Sequence, residues 1–99
     1  MKRTLSIASG VGLVAALLLG GAGAANATTE YVGGGTWNYG VERVVGNYSY
    51  SNYLHSSKAH GSTACSSSKC VRSDTVPGGK WSRASVQASA GGNTAYWRV

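Results

Sequence analysis

Four residues in the middle of the chain are of types that bind metals or take part in acid–base chemistry. They are His55, His60, Cys65 and Cys70, with Lys58 between the two histidines. Histidine and cysteine are the usual ligands of zinc, but four intervening residues within each pair is a loose spacing for a zinc finger, and an oxidised cysteine pair does not ligate a metal. We therefore expect no metal and no cofactor, and we interpret the histidines as surface residues.

The two cysteines fit a disulfide better than a metal site. An even pair of cysteines in an exported chain usually forms a bond, and here the pair encloses the short loop Ser66-Ser67-Ser68-Lys69. We predict that Cys65 and Cys70 are joined and fix the tip of a hairpin. Closing so small a ring stabilises the fold by about 2 kcal/mol in the loop-entropy model.

The sequence does not indicate an enzyme. A nucleophilic site needs a base and an orienting acid, whereas the acids are only Glu30, Glu42 and Asp74, and none belongs to a recognisable motif. Two of these carboxylates would pair for glycoside hydrolysis only by accident of folding. We expect no catalytic residue.

The N-terminus has the pattern of a secretory signal peptide. Lys2 and Arg3 supply positive charge, and residues 5–19 are uncharged and apolar or small, a stretch shorter than the ~20 residues of a membrane-spanning helix. Ala25-Asn26-Ala27 is a small-x-small cleavage site, Ala22-Gly23-Ala24 is the alternative, and a retained membrane anchor is the less favoured interpretation. The predicted organisation is a signal peptide over 1–27, a flexible start over 28–34 and one domain over 35–99.

The charge of the predicted mature chain indicates an anionic partner. Without the signal peptide, seven basic residues stand against three acids, which gives a net charge of +4. The cations are scattered and the chain is exported, so nucleic acid is not the expected partner. Membrane headgroups, wall polymers and pyrophosphate-linked wall precursors are the anions that such a protein meets. The alternative is a solvated basic surface that only maintains solubility.

The apolar residues favour strands. Valine, tryptophan and tyrosine suit a pleated, half-buried surface, and Leu54 is the only mature aliphatic residue beyond alanine and valine. Turn signals, of which Val76-Pro77-Gly78-Gly79 is the clearest, separate short segments, as is typical of a small sandwich or barrel. No amphipathic helix is predicted, which disfavours a pore-forming helical peptide. The predicted strands are residues 36–41, 47–55, 58–65, 70–73, 80–90 and 94–99.

Two details of burial follow from the pattern. Val44 and Val45, in the link between the first two strands, are expected to be buried. In segment 80–90, Ala84 and Val86 share one face and Trp81 falls on the other. Either a bulge turns Trp81 inward, or it is exposed and available to a partner.

A set of short motifs is spread over residues 35–97. They are Gly35-Thr36-Trp37, Tyr39-Gly40-Val41, Tyr50-Ser51-Asn52-Tyr53, His55, Ser57-Lys58, His60, Ala64, Gly79, Trp81, Ala84, Val86 and Tyr96-Trp97. In these residues the chain resembles the lactococcin 972 family of bacteriocins, most specifically from Tyr50 to His60. Two features depart from the type member of the family: the cysteine pair and the ending Arg98-Val99.

The resemblance implies a secreted antibacterial protein whose fold is a β-sandwich of two three-stranded antiparallel sheets. It also implies capture of the wall precursor lipid II and arrested septum formation, with peripheral contact at the target membrane and no pore. On this basis we expect a binding surface in which cations lie near the pyrophosphate and aromatic rings lie against the sugar or the lipid boundary. Its predicted members are Tyr53, His55, Lys58, His60 and Trp81.

Two other classes of function stay open. One is an envelope-associated structural or signalling protein without killing activity. The other is a secreted enzyme inhibitor that uses the Cys65–Cys70 loop, in which case Ser66 and Lys69 matter more than the histidines. A sparse core and several tyrosines are also compatible with a homodimer.

Overall fold

The computed structural model describes the backbone of residues 13–18 and 26–99 and the side chains of residues 27–99. This part of the chain contains strands and no helix, so it holds no helix that is long and apolar enough to cross a membrane. The strands are β1 (Leu13–Leu18), β2 (Asn26–Val32), β3 (Gly35–Glu42), β4 (Tyr48–Leu54), β5 (Gly61–Cys65), β6 (Cys70–Arg72), β7 (Trp81–Gln87) and β8 (Asn93–Arg98).

The strands form two antiparallel sheets. The first has the order β2-β3-β4-β7; the second has the order β8-β5-β6, with β1 added at the outer edge of β8. The predicted all-β fold with two antiparallel sheets is confirmed. The predicted count of three strands per sheet is wrong: the first sheet has four, and the second has β8, β5 and β6 together with β1.

The additional strand of the first sheet is β2, which includes residues that we assigned to a flexible start. β2 pairs with β3 along its whole length, from Asn26 opposite Val41 to Val32 opposite Gly35. The turn between them places Gly33 and Gly34 at φ 61° and 83°, as a two-residue hairpin requires. A Cβ at Gly33 would lie 2.3 Å from the ring of Trp97, so the turn also packs against the second sheet.

The strand β1 comes from the predicted signal peptide. It pairs with β8 from Leu13 opposite Arg98 to Leu18 opposite Asn93. Residues 1–12 and 19–25 lie outside the described part of the chain. The signal peptide, its cleavage and the domain boundaries therefore stay predictions.

Aromatic rings from both sheets form the main core. Trp37 and Tyr39 stack at 3.9 Å between ring centroids, and Tyr53 stacks on Trp97 at 5.2 Å. Val41 and Ala95 complete this cluster. Trp37, Tyr39 and Val41 share one buried face, as the alternation of side chains along a strand requires.

Serines, and not tyrosines, face the core from the first half of β4. Ser49 and Ser51 are fully buried, whereas Tyr48 and Tyr50 lie on the outer face. The indole N–H of Trp37 donates to Ser51 Oγ at 2.9 Å, and Ser51 Oγ donates to the carbonyl of Tyr96 at 2.8 Å. Small hydroxyl side chains on β4 thus leave room for the indole and bind its polar atom.

The prediction that Val44 and Val45 are buried is wrong, since they are 75 % and 73 % exposed. The carboxylate of Glu42 accepts the backbone N–H of Val44 at 3.2 Å and of Val45 at 2.7 Å. These bonds close a tight turn after β3, and the two valines lie at its exposed tip.

The structure resolves the alternatives for Trp81. β7 alternates strictly between exposed and buried residues from Trp81 to Gln87, with Ala84 and Val86 inward. There is no bulge in its pairing with β4, which runs without interruption. Trp81 is therefore on the outer side, with 37 % of its surface exposed.

Candidate functional site

His60 joins two loops at one end of the sandwich. Its side chain is buried, with 1 % exposed. Its Nδ1 lies 2.7 Å from the carbonyl oxygen of Lys58, and its Nε2 lies 2.6 Å from that of Lys80. Its backbone also exchanges two hydrogen bonds with Val76, at 3.0 and 2.9 Å. One residue therefore brings the β4–β5 loop beside the start of β7.

Both nitrogens of the His60 ring face backbone carbonyl oxygens, which only accept hydrogen bonds. The buried ring thus holds the Lys58 segment at one of its edges and the Lys80 segment at another.

His55 accepts hydrogen bonds from the backbone of the same loop. Its Nδ1 accepts the backbone N–H groups of Ser57 at 3.2 Å and Lys58 at 3.0 Å, which requires a free lone pair. Burial lowers the pKa of His55, and the positive charges of His60 and Lys58 lower it further. The ring centroids of the two imidazoles are 6.3 Å apart. The two rings therefore organise this loop together.

Tyr53 supports this arrangement from within the core. It is fully buried, it meets His60 edge-on at 5.7 Å between centroids, and its hydroxyl donates to the carbonyl of Val32 at 2.7 Å. Burial raises the pKa of Tyr53 to about 12. The phenol therefore stays neutral and acts as a packing residue.

Lys58 and Trp81 are the two predicted binding residues that reach the surface. Lys80 precedes Trp81 and is exposed, and the guanidinium carbon of Arg83 lies 5.5 Å from the centroid of a Trp81 ring, within cation–π distance. Since His60 contacts the carbonyls of both Lys58 and Lys80, the backbones of these two exposed lysines lie at the edges of one buried ring, and Lys80 is next to Trp81 in the chain. We call Lys58, Lys80, Trp81 and Arg83 the basic corner.

The structure brings the five predicted binding residues to one end of the sandwich but separates them by depth. The interpretation of His55 and His60 as surface residues is wrong, because the inward alternation of β4 continues through Tyr53 to His55 and the Lys58 and Lys80 segments cover His60. A ligand at the surface would meet Lys58 and Trp81. That these residues bind one stays a prediction.

Sequence reasoning missed Lys80 and Arg83 as neighbours of the predicted site. Arg83 has the same strand parity as Trp81, so alternation alone places both on the outer face. Lys80 had a weaker signal, because its proximity to Lys58 depends on a contact across twenty positions of the chain.

A concave surface lies on the outer face of the sheet β2-β3-β4-β7. It is a groove of about 410 Å³, and we call it the outer groove. The tyrosines of β4 that point away from the core form part of its wall. Its lining residues are Asn38, Glu42, Tyr48, Tyr50, Asn52, Arg83, Ala84 and Ser85.

The predicted disulfide between Cys65 and Cys70 is confirmed. Within the loop, Ser66 N–H donates to the carbonyl of Lys69 at 2.7 Å. Ser67 N–H donates to Ser89 Oγ at 3.1 Å, which ties the tip to the β7–β8 connection. Both sulfurs are bonded, and no metal-binding group of three His, Cys, Asp or Glu side chains occurs among residues 27–99.

Two of the three acids, Glu30 and Glu42, make local hydrogen bonds that stabilise the fold. Glu30 accepts the hydroxyl hydrogen of Tyr39; burial, and then Glu30 itself, raises the pKa of that tyrosine to about 12. Glu42 holds the turn at Val44 and Val45. Asp74 is exposed.

Comparison with known proteins gives one informative result. No curated protein and no solved structure matches this chain. A family model described as Bacteriocin (Lactococcin_972) matches residues 33–97, a span that contains β3 to β7, nearly all of β8 and the whole basic corner. The resemblance noted from the sequence is thereby confirmed, and the chain belongs to the lactococcin 972 family of bacteriocins.

Proposed function

We propose that this bacteriocin is a secreted antibacterial protein that binds a pyrophosphate-linked wall precursor such as lipid II and so blocks wall or septum synthesis in related bacteria. The observation that carries the proposal is the basic corner. The His60 ring draws the backbones of Lys58 and Lys80 together beside an exposed indole. Family membership supports the antibacterial role.

The chemistry of the basic corner suits a diphosphate at a membrane surface. Lysine and arginine attract phosphate oxygens, arginine in a bidentate geometry, and tryptophan is favoured where water meets lipid headgroups. His55 and His60 do not touch the ligand in this proposal. They are positioning residues, since they hold the loop that carries Lys58.

The test is binding of the purified, disulfide-bonded protein to phospholipid vesicles with and without lipid II, at about 0.15 M ionic strength. We expect saturable binding that depends on lipid II, together with growth arrest of sensitive bacteria before septation. Equal binding to every anionic vesicle would reduce the interaction to general electrostatics. Absence of binding to both vesicle types would refute precursor capture.

A matched pair of double variants locates the site. Lys58→Ala with Lys80→Ala removes two cations from the basic corner and should weaken lipid II binding at least tenfold. Lys69→Ala with Arg72→Ala removes the same charge from the exposed β5–β6 hairpin and should change binding less than twofold. Similar losses in both variants would show that net charge, and not the basic corner, governs binding.

The double variant Lys69→Ala with Arg72→Ala also tests the alternative function, that of an enzyme inhibitor. The observation that favours it is the exposed Ser67–Lys69 tip, which the disulfide and the bond to Ser89 hold in place. If the Lys69 and Arg72 double variant loses antibacterial activity while the Lys58 and Lys80 double variant keeps it, the hairpin tip is the functional element. The target would then be a protein and not the wall precursor.

A further inference from the structure

We propose that the outer groove is a second binding site, which takes a neutral, N-acetylated glycan chain. The proposal goes beyond precursor capture, because it concerns a different face of the molecule and a ligand without phosphate. Arg83 borders both the outer groove and the basic corner, so a glycan in the groove would extend toward the corner.

The backbones of β3 and β4 beneath the groove are not available to a ligand. β3 pairs with β2 and β4, and β4 pairs with β3 and β7, along their whole lengths. A peptide could add as a strand only at β7, the edge of this sheet beside the groove. A ligand that lies over β3 and β4 must therefore be recognised by side chains.

Small residues on both sides of Tyr50 create the groove. Gly40 lies opposite Tyr50 on β3, and Ser85 lies opposite it on β7. Along β4, the ring of Tyr48 is tilted against that of Tyr50, with 6.1 Å between centroids. The result is an aromatic wall with open space beside it, instead of the flat row of side chains that larger neighbours would give.

A row of amide groups crosses the groove next to this wall. Asn38 lies opposite Asn52, and Asn52 lies opposite Arg83. The Nδ2 of Asn38 donates to Thr29 Oγ1 at 3.2 Å, which fixes the plane of that amide. Asn52 offers donors and an acceptor, and Asn38, whose Nδ2 donates to Thr28 and Thr29, offers its acceptor oxygen, a combination that matches sugar hydroxyls and acetamido groups.

The charges in the groove exclude a polyanion as the favoured ligand. Arg83 and Glu42 contribute one charge of each sign. The phenol of Tyr50 stays protonated because burial, together with Tyr48 and Glu42, raises its pKa. An entirely apolar ligand would leave the amides unpaired. A neutral sugar chain avoids both problems, because it carries no net charge and it is not entirely apolar. Its hydroxyl edges pair with amides and its C–H faces pack on tyrosine.

The experiment is NMR titration of the purified, disulfide-bonded protein with chitotetraose, with cellotetraose as the probe that lacks acetamido groups. We expect saturable shifts at the backbone and side-chain amides of Asn38 and Asn52, and weaker binding of cellotetraose. Asn52→Ala should weaken chitotetraose binding about tenfold, as for the loss of one or two hydrogen bonds. Thr36→Ala, on the same face but outside the groove, should have no effect.

The outcomes separate this site from the basic corner. No saturation with chitotetraose, shifts confined to Lys58, Lys80 and Trp81, or equal losses in Asn52→Ala and Thr36→Ala would each overturn the glycan site. Lipid II binding that persists in Asn52→Ala and fails in the Lys58 and Lys80 variant would leave precursor capture standing. Chitotetraose binding without any lipid II binding would support the groove while refuting the proposed function.

Discussion

At the scale of single residues, two buried serines on the same strand have different environments. Ser51 bridges the indole of Trp37 and the carbonyl of Tyr96. Ser49 is equally buried, but its hydroxyl has no hydrogen-bond partner among the described residues. Because the cost of a buried polar group depends on whether it is paired, these two positions provide a direct comparison.

We predict that Ser51→Ala destabilises the protein and that Ser49→Ala does not. The first substitution leaves a buried N–H and a buried carbonyl without their partner, at a cost of about 1–3 kcal/mol. The second removes a hydroxyl that pairs with nothing in the described structure, so its effect should be neutral or stabilising. Urea unfolding of both variants measures the difference. Equal midpoints would contradict the hydrogen-bond network around Trp37.

At the scale of elements, the β4–β5 loop depends on the protonation of His55. Nδ1 of His55 accepts two backbone hydrogen bonds and is lost as an acceptor when the ring is protonated. Its pKa in the folded state lies below the ordinary value of 6.5. Between these two values the unfolded chain binds more protons than the folded chain, so stability falls as pH falls.

We predict that the free energy of unfolding decreases as the pH is lowered through about 6.5, and that His55→Asn weakens this dependence. Asparagine offers an oxygen in place of Nδ1 but does not titrate in this range. The measurement is urea unfolding at a series of pH values, with amide exchange of Ser57 and Lys58 as the local reporter. An unchanged pH slope in the variant would show that other groups are responsible.

The disulfide hairpin is an element whose loss should be local. We predict that Cys65→Ser with Cys70→Ser lowers stability by about 2 kcal/mol, because the bond closes a short ring. Exchange protection should fall in β5, β6 and the Ser67–Ser89 contact. Lipid II binding by the basic corner should persist. Loss of protection in β3 and β4 as well would mean that the hairpin supports the whole fold.

At the scale of the whole molecule, most of the core lies after the predicted cleavage site. The residues of the two buried clusters fall between Trp37 and Trp97. Cleavage after Ala27 would remove β1 and the first two residues of β2 while leaving residues 28–32 paired with β3. The outer edge of β8 would then lose the partner that β1 provides.

We predict that a chain of residues 28–99 folds cooperatively and retains the disulfide. Amide exchange should become faster in β8 than in the full-length chain, while β3 and β4 stay protected, because only β8 loses a neighbouring strand. Comparison of the two chains by exchange and thermal unfolding tests this. A residue 28–99 chain without a cooperative transition would show that the preceding segment is required for folding.

Strand periodicity predicted much of the architecture. The all-β class, the inward face of β3, the turn at Pro77 and the disulfide followed from local patterns, since alternation, turn chemistry and short loops are properties of neighbouring residues. The position of β2 did not follow from local patterns, because a segment with two threonines beside glycines is equally compatible with a loop. The prediction that Val44 and Val45 are buried failed for a similar reason, since their exposure depends on a turn that the carboxylate of Glu42 holds.

The sequence by itself determined the class of fold, the family and the segment, Tyr50 to His60, that carries most of the predicted binding residues. The tertiary structure decided which residues of that segment could meet a ligand. His60 is buried because carbonyls from Lys58 and from Lys80 converge on its ring, and the outer groove exists because Gly40, Tyr50 and Ser85 align across three strands. Both features depend on pairing between distant parts of the chain, which the order of the residues along one strand does not encode.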